Sequence, residues 1–137
     1  ADHYQAQIEQ CKAQLEILDA PVHPVPPGRY RTYLAPAATA EFLTMLSWGA
    51  VSEASLRQGG SALAKLREGK RLSSQFSLRE NFSSGSVPRF NELGEMAATE
   101  LPVISQGELV NSLVSSRTAK EYGIQGNGAS GMEGLRS

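Results

Sequence analysis

The stretch Ala97-Ala98-Thr99-Glu100-Leu101-Pro102-Val103-Ile104-Ser105-Gln106-Gly107-Glu108-Leu109-Val110-Asn111-Ser112-Leu113-Val114 decides the fold. Residues 97–104 and 108–114 each read as a strand, and Ser105-Gln106-Gly107 between them suits a hairpin turn. Upstream, Gln75–Arg79 gives a further short strand, with Phe76 and Leu78 on one side. Between them, 81–95 is rich in Ser, Gly and Asn and reads as a long ordered loop holding Phe82 and Phe90. Loops of that length inside a compact domain are often functional or belong to a larger body.

Further back, Pro36 suits the first turn of a helix, where its missing N–H costs nothing. Residues 37–57 carry the longest helical pattern, with Phe42, Leu43, Met45, Leu46, Ala50 and Val51 on a broad apolar face. Gly49 is its weak point, costing about 1 kcal/mol against Ala inside a helix. Gly59-Gly60 ends the run. Ser61 is expected to cap a short second helix through Leu66 that stops near Gly69. Before Pro36, Arg29–Leu34 reads as a strand, with Tyr30, Thr32 and Leu34 on one face. The prolines of 21–27 predict a stiff, extended connector.

At the start of the chain, residues 4–19 predict a helix whose stripe is Ile8, Cys11, Leu15 and Leu18. An isolated helix of that length is marginal in water and needs something to lean on. At the other end, Ser116 is expected to cap a helix through Tyr122, with Gly123 at its C′ position. Gly126, Gly128, Gly131 and Gly134 then suggest a flexible tail or a loop cut from a missing continuation. The reading is an α+β fold: a mixed or antiparallel sheet with one long helix packed against it. Residues 1–137 form one domain or part of one: leading helix and start of linker over 1–22, a strand–helix–sheet core over 23–114, and a short helix with a Gly-rich tail over 115–137.

Composition narrows the function. The 137 residues are 40% apolar, with 13 basic against 14 acidic side chains. Such balance argues against a dedicated nucleic-acid binder and gives no attraction to an anionic membrane. No apolar run approaches the roughly 20 residues of a membrane span, and the N-terminal residues lack an apolar signal core. A cytoplasmic setting is expected. The single cysteine, Cys11, cannot form an internal disulfide. On the apolar stripe it reads as a buried structural thiol rather than a reactive one.

Chemistry is hard to find in the residues themselves. The only histidines are His3 and His23, and neither a His-Glu-x-x-His nor a Cys-x-x-Cys pair exists. A serine triad lacks its histidine and its Gly-x-Ser-x-Gly elbow; Gly59-Gly60-Ser61 reads as helix punctuation. Gly126-Asn127-Gly128-Ala129-Ser130-Gly131 is glycine-rich, but no strand feeds it and no helix follows, so the phosphate-loop contexts fail. Lys65, Arg67, Lys70 and Arg71 gather where a helix C-terminus would attract cations. No catalytic, cofactor-binding or metal-ligating residue and no cofactor is nominated.

The order of segments nevertheless resembles the TldD/PmbA family. Pro27-Gly28-Arg29-Tyr30-Arg31-Thr32-Tyr33-Leu34-Ala35-Pro36 is similar to that family's Gly-x-Tyr-Pro-Val strand between two helices, with Arg31-Thr32 departing from Pro-Val. Gly49-Ala50-Val51-Ser52-Glu53 through Gly59-Gly60-Ser61-Ala62-Leu63-Ala64-Lys65-Leu66 resembles its small-residue helix and the Arg-Gly-x-Ser-x-Leu that follows. Gly85 to Gly94 resembles its Pro-Phe-Asp-x-Glu-Gly turn, Leu101 to Leu113 its Leu-Ile-x-x-Gly-x-Leu hairpin, and Ser116 to Gly123 its Arg-Thr-Ala-x-x-x-Gly helix, followed by a glycine-rich loop at Gly126-Asn127-Gly128. The resemblance covers nearly the whole chain, in order, and family members are considerably longer.

That resemblance implies a metallopeptidase setting. TldD-type subunits carry His-Glu-x-x-x-His on the long helix; PmbA/TldE-type subunits lack it and pair with TldD to trim peptides. The family name also carries modulation of DNA gyrase. Ungapped alignment on Gly60-Ser61 puts the two histidine positions on Thr44 and Gly49 and the glutamate position on Met45, none able to hold zinc or act as base. The implication is an internal to C-terminal-domain segment of a PmbA/TldE-like, non-catalytic subunit of a heteromeric peptide-processing peptidase. Its expected partners are a TldD-like zinc-bearing subunit or a second copy, and a peptide substrate, with no nucleic acid and no membrane. The 81–95 loop and 97–114 hairpin are the surfaces expected to hold peptide or partner. The alternatives are an active TldD-type peptidase with ligands outside this segment, and a stand-alone protein-interaction module.

Overall fold

The computed structural model describes residues 2–136 and is α+β. It comprises two compact units that divide between Tyr33 and Leu34. The first contains α1 (Asp2–Leu18) and the proline connector. The predicted stripe forms on α1 but is exposed: Ile8, Leu15 and Leu18 are open to solvent, and so is Cys11, contrary to the expectation of a buried thiol. Tyr30 donates its hydroxyl to the Pro26 carbonyl at 2.7 Å, folding the end of the connector on itself.

The strand expected over 29–34 is absent. The alternation is there, but a strand exists only when a neighbour takes its backbone hydrogen bonds, and none pairs with these residues.

The second unit contains the other elements. The helix expected over 37–57 arrives in two pieces, α2 (Pro36–Thr44) and α3 (Glu53–Arg57), with a 3-10 turn at 45–47 after the first. The break falls at Gly49, whose φ of +97° no helix accommodates. The physical reason lies across the fold. Val51 and Ser52 leave the helical path to pair in parallel with Leu113: Leu113 N–H donates to the Val51 carbonyl at 2.8 Å, and Glu53 N–H to the Leu113 carbonyl at 2.9 Å. That excursion carries Val51 into the core, where it is fully buried.

α4 (Ala64–Arg67) follows, but Ser61 does not cap it as expected: the N-cap position is Leu63, with no side-chain cap. The Ser61 hydroxyl donates to the Ala50 carbonyl at 2.6 Å and accepts from Leu63 N–H at 2.9 Å. The sheet is three-stranded and antiparallel, in the order β1 (Leu78–Asn81), β2 (Glu100–Ser105), β3 (Glu108–Leu109). β1 begins later than its predicted 75–79, while Phe76 and Leu78 still pack on the core.

The hairpin turn is Gln106-Gly107, both with positive φ (47° and 83°), the conformation that matches strand twist in a two-residue loop. Gly107 is needed twice over, because a Cβ there would strike the Leu72 carbonyl and lie 2.8 Å from that of Ser73. Pro102, which cannot donate to a ladder, sits opposite the register irregularity between Leu78 and Arg79.

α5 (Ser116–Tyr122) is capped one residue earlier than expected, by Ser115, and ends on left-handed Gly123. The core is Val51, Val103, Ile104, Leu113 and Ala129, ringed by Leu63, Leu66, Phe76, Leu78, Leu101, Leu109 and Leu135. Ala129 and Leu135 belong to the glycine-rich end, which folds back instead of trailing as a flexible tail. Among the described residues no helix is long and apolar enough to cross a membrane.

Candidate functional site

Three buried carboxylates organise the second unit, and no short-range motif announced them. Glu133, 2% exposed, lies where the N-termini of α3 and α5 converge. It accepts from the Ser52 hydroxyl at 2.6 Å and Ala54 N–H at 3.1 Å on one side. On the other it accepts from Ser115 N–H and the Ser115 hydroxyl, both at 2.8 Å. Ser52 and Ser115 are the N-caps of those two helices, so one side chain from the tail anchors both caps. Burial pushes its carboxyl up, but the hydroxyl and N–H donors outweigh this and hold it below the usual carboxylate range.

Glu53, at the first turn of α3, is equally enclosed. It takes Arg57 Nε at 2.6 Å, the Arg67 guanidinium and the Ser112 hydroxyl. Burial raises it; the bonds from Arg67, Ser112 and Arg57 bring it down to about 2. The basic cluster noted in the sequence is thus partly spent on ion pairs: Arg67 on Glu53 and Arg71 on Glu108.

Glu80, on β1 and 2% exposed, is the opposite case. It accepts Arg136 N–H at 2.7 Å, while the Arg136 guanidinium bonds the carbonyls of Phe90 and Gly128 (3.1 and 3.0 Å) and lies over the Phe82 ring. Burial pushes Glu80 up, and Arg136 only partly offsets it. A carboxyl with a raised native pKa stabilises the fold below its unfolded value of 4.5, and that contribution is lost as pH rises through the native value. At neutral pH Glu80→Gln should therefore raise the thermal midpoint, since replacing a poorly compensated buried charge is often neutral or stabilising. A lowered midpoint at neutral pH would contradict this.

An open groove of about 640 Å³ runs beside the hairpin, lined by Arg67, Met96, Leu109, Val110, Asn111 and Asn127 among others. Its far wall is the glycine-rich loop. Asn127 reads the 112–114 segment as a strand would: its N–H donates to the Val114 carbonyl (3.1 Å), its Oδ1 accepts from Val114 N–H (2.9 Å), and its Nδ2 donates to the Ser112 carbonyl (2.7 Å). Asn91 organises the 91–95 turn, accepting from Leu93 and Glu95 N–H and donating to the Ala129 carbonyl. The loop and the hairpin that the sequence singled out therefore meet at the glycine-rich end.

The three positions that the resemblance places under a metal do not fit one. Thr44 closes α2 and spends its hydroxyl on the Ala40 carbonyl at 2.9 Å. Met45 lies on the 3-10 turn and is half exposed. Gly49 offers no side chain and stands off any helical face. Among the described residues no group of three His, Cys, Asp or Glu side chains comes together to hold an ion.

α2 is notable for what it leaves uncovered. It is strongly apolar yet contains no buried residue; Phe42 on it is 56% exposed, and Met45 and Trp48, on and just after the 3-10 turn that follows, are 48% and 81% exposed.

The family model for the PmbA/TldA metallopeptidase C-terminal domain matches residues 27–137. No curated protein and no solved structure matches the chain.

Proposed function

We propose, because this chain belongs to the PmbA/TldD metallopeptidase family, that it is a segment of a PmbA/TldE-type, non-catalytic subunit of a heteromeric peptide-processing peptidase. The observation that carries this is the donor set at Thr44, Met45 and Gly49, which offers a zinc ion neither imidazole nor carboxylate. The segment then contributes shape. The groove beside the hairpin mixes apolar side chains (Met96, Leu101, Leu109, Val110) with Asn111 and Arg67, the kind of surface that holds an extended peptide. The exposed apolar side of α2 is where the zinc-bearing subunit docks. α2 holds a single charged residue, Glu41, so that side presents little that costs energy to desolvate.

The test is to purify the protein alone and together with a TldD-type subunit. Stoichiometric zinc and peptide hydrolysis are expected only in the joint preparation. Tight zinc or hydrolysis in the protein alone would move the assignment to an active peptidase with its ligands outside this segment. Trp48→Glu with Phe42→Asp is expected to weaken co-purification roughly tenfold or more, as loss of interface anchors does. Being exposed, the pair should leave the protein's own stability within about 0.5 kcal/mol per site. Undiminished co-purification would remove α2 and the turn after it as the docking surface.

A further inference from the structure

The sequence contains one Asn-Gly pair, Asn127-Gly128, and the fold places it at a junction. We propose that this peptide is a spontaneous modification site, a deamidation held off by native hydrogen bonds, whose product unpins the glycine-rich loop from the 112–114 segment. The inference is independent of the function proposed above.

The chemistry needs only water and base. The Gly128 backbone nitrogen, its proton removed by hydroxide, attacks Asn127 Cγ. A bond forms from that nitrogen to Cγ, the Cγ–Nδ2 bond breaks, and Nδ2 leaves as ammonia after taking up a proton. Water then opens the resulting five-membered imide at one of its two carbonyls, leaving aspartate or isoaspartate at position 127. Glycine favours the attack because no Cβ shields its nitrogen.

Native structure opposes the attack and the departure of ammonia. Both ends of the Asn127 amide are engaged, Oδ1 by Val114 N–H and Nδ2 by the Ser112 carbonyl, so the group that must swing toward Gly128 and the group that must leave are both tied down. Gly128 is fixed as well: its φ is +74°, and the Met96 carbonyl oxygen and Ala97 nitrogen lie 2.6 and 2.7 Å from where a Cβ would stand. Attack therefore requires the loop to open locally. Afterwards the bond to Ser112 cannot be remade. A carboxylate has no donor, and it would set an oxygen charge against a carbonyl where an N–H stood. Isoaspartate also adds a backbone carbon between two residues that the core holds, Val114 and Ala129.

The experiment ages the full chain in mildly alkaline buffer, with and without unfolding urea, and maps deamidation by peptide mass spectrometry and isoaspartate methylation. Position 127 is expected to react ahead of Asn81, Asn91 and Asn111 in the unfolded chain, and at least roughly tenfold more slowly in the native one. Equal rates native and unfolded, or other asparagines reacting first in urea, would overturn the proposal. Asn127→Asp tests the consequence separately. It should lower the thermal midpoint and open the 124–131 segment to protease, and an unchanged midpoint with unchanged cleavage would refute the unpinning.

Discussion

Glu133→Ala is expected to cost about 3–5 kcal/mol, a large share of the 5–15 kcal/mol that holds a domain together. The side chain is buried to 2% exposure and takes two hydroxyl and two N–H donors. Removing it leaves the caps of α3 and α5 facing an empty space, and unsatisfied buried donors carry their full desolvation cost. The residue also holds a positive φ of 51°, a strain that only its contacts offset; alanine keeps the strain and loses the contacts. Glu133→Gln keeps one acceptor oxygen and should cost less, about 1.5–3 kcal/mol. Urea unfolding followed by circular dichroism checks both. The pH dependence has a definite sign. The native pKa lies below the unfolded 4.5, so the contribution is complete above 4.5 and fades as pH falls below it. Glu133→Gln should flatten that acid limb. A loss under about 1 kcal/mol in the alanine variant would mean the two caps are satisfied without the tail.

What the sequence showed and what it hid divide along a physical line. The place of the hairpin was legible because Gln106-Gly107 is a local turn signal, but its strands are shorter than the patterns over 97–104 and 108–114: β2 starts at Glu100 and β3 ends at Leu109. α1 and its stripe were legible for the same reason, whereas the exposure of Cys11 depends on what covers the helix, which no periodicity reports. The continuous 37–57 helix was a reasonable local reading with a hidden competitor: Leu113, far along the chain, offers Val51 and Ser52 better backbone partners than the helix does, and Gly49 makes the departure cheap. The shift of the α5 cap from Ser116 to Ser115 has a similar cause, because Glu133 selects which serine is held. Of the candidate site, the 81–95 loop, the hairpin and the absence of ligand-type side chains at 44, 45 and 49 could be read in advance. The glutamates could not. Glu80 and Glu133 sit in unremarkable local sequence; the tail folding back brings Arg136 onto Glu80 and carries Glu133 to the N-termini of α3 and α5.

Glu53 carries the second large effect, and its partners decide its size. Arg57 and Arg67 are more than a third exposed, while Glu53 itself is 5% exposed at its side chain. Deleting Glu53 lets both arginines return to water, so Glu53→Gln should cost about 2 kcal/mol, the value of hydrogen bonds to a charged group. Arg67→Met does the more damaging thing. It leaves a buried carboxylate with only Arg57 and Ser112, and breaking a buried pair from the side that stays solvent-reachable strands the charge that does not; about 2–4 kcal/mol is expected. The order Arg67→Met worse than Glu53→Gln is the sharper claim, and the double variant should recover part of the loss because no charge is then stranded. Acid titration gives an independent reading. With the native pKa at about 2 and the unfolded value at 4.5, the Glu53 contribution is whole above 4.5 and drains away between 4.5 and about 2. Glu53→Gln should therefore lose its slope across that window, beyond the slope that Glu133 alone provides. If Arg67→Met proves milder than Glu53→Gln, the carboxylate is reached by water, and the network holds α3, α4 and the hairpin together by packing of the arginine stems rather than by charge.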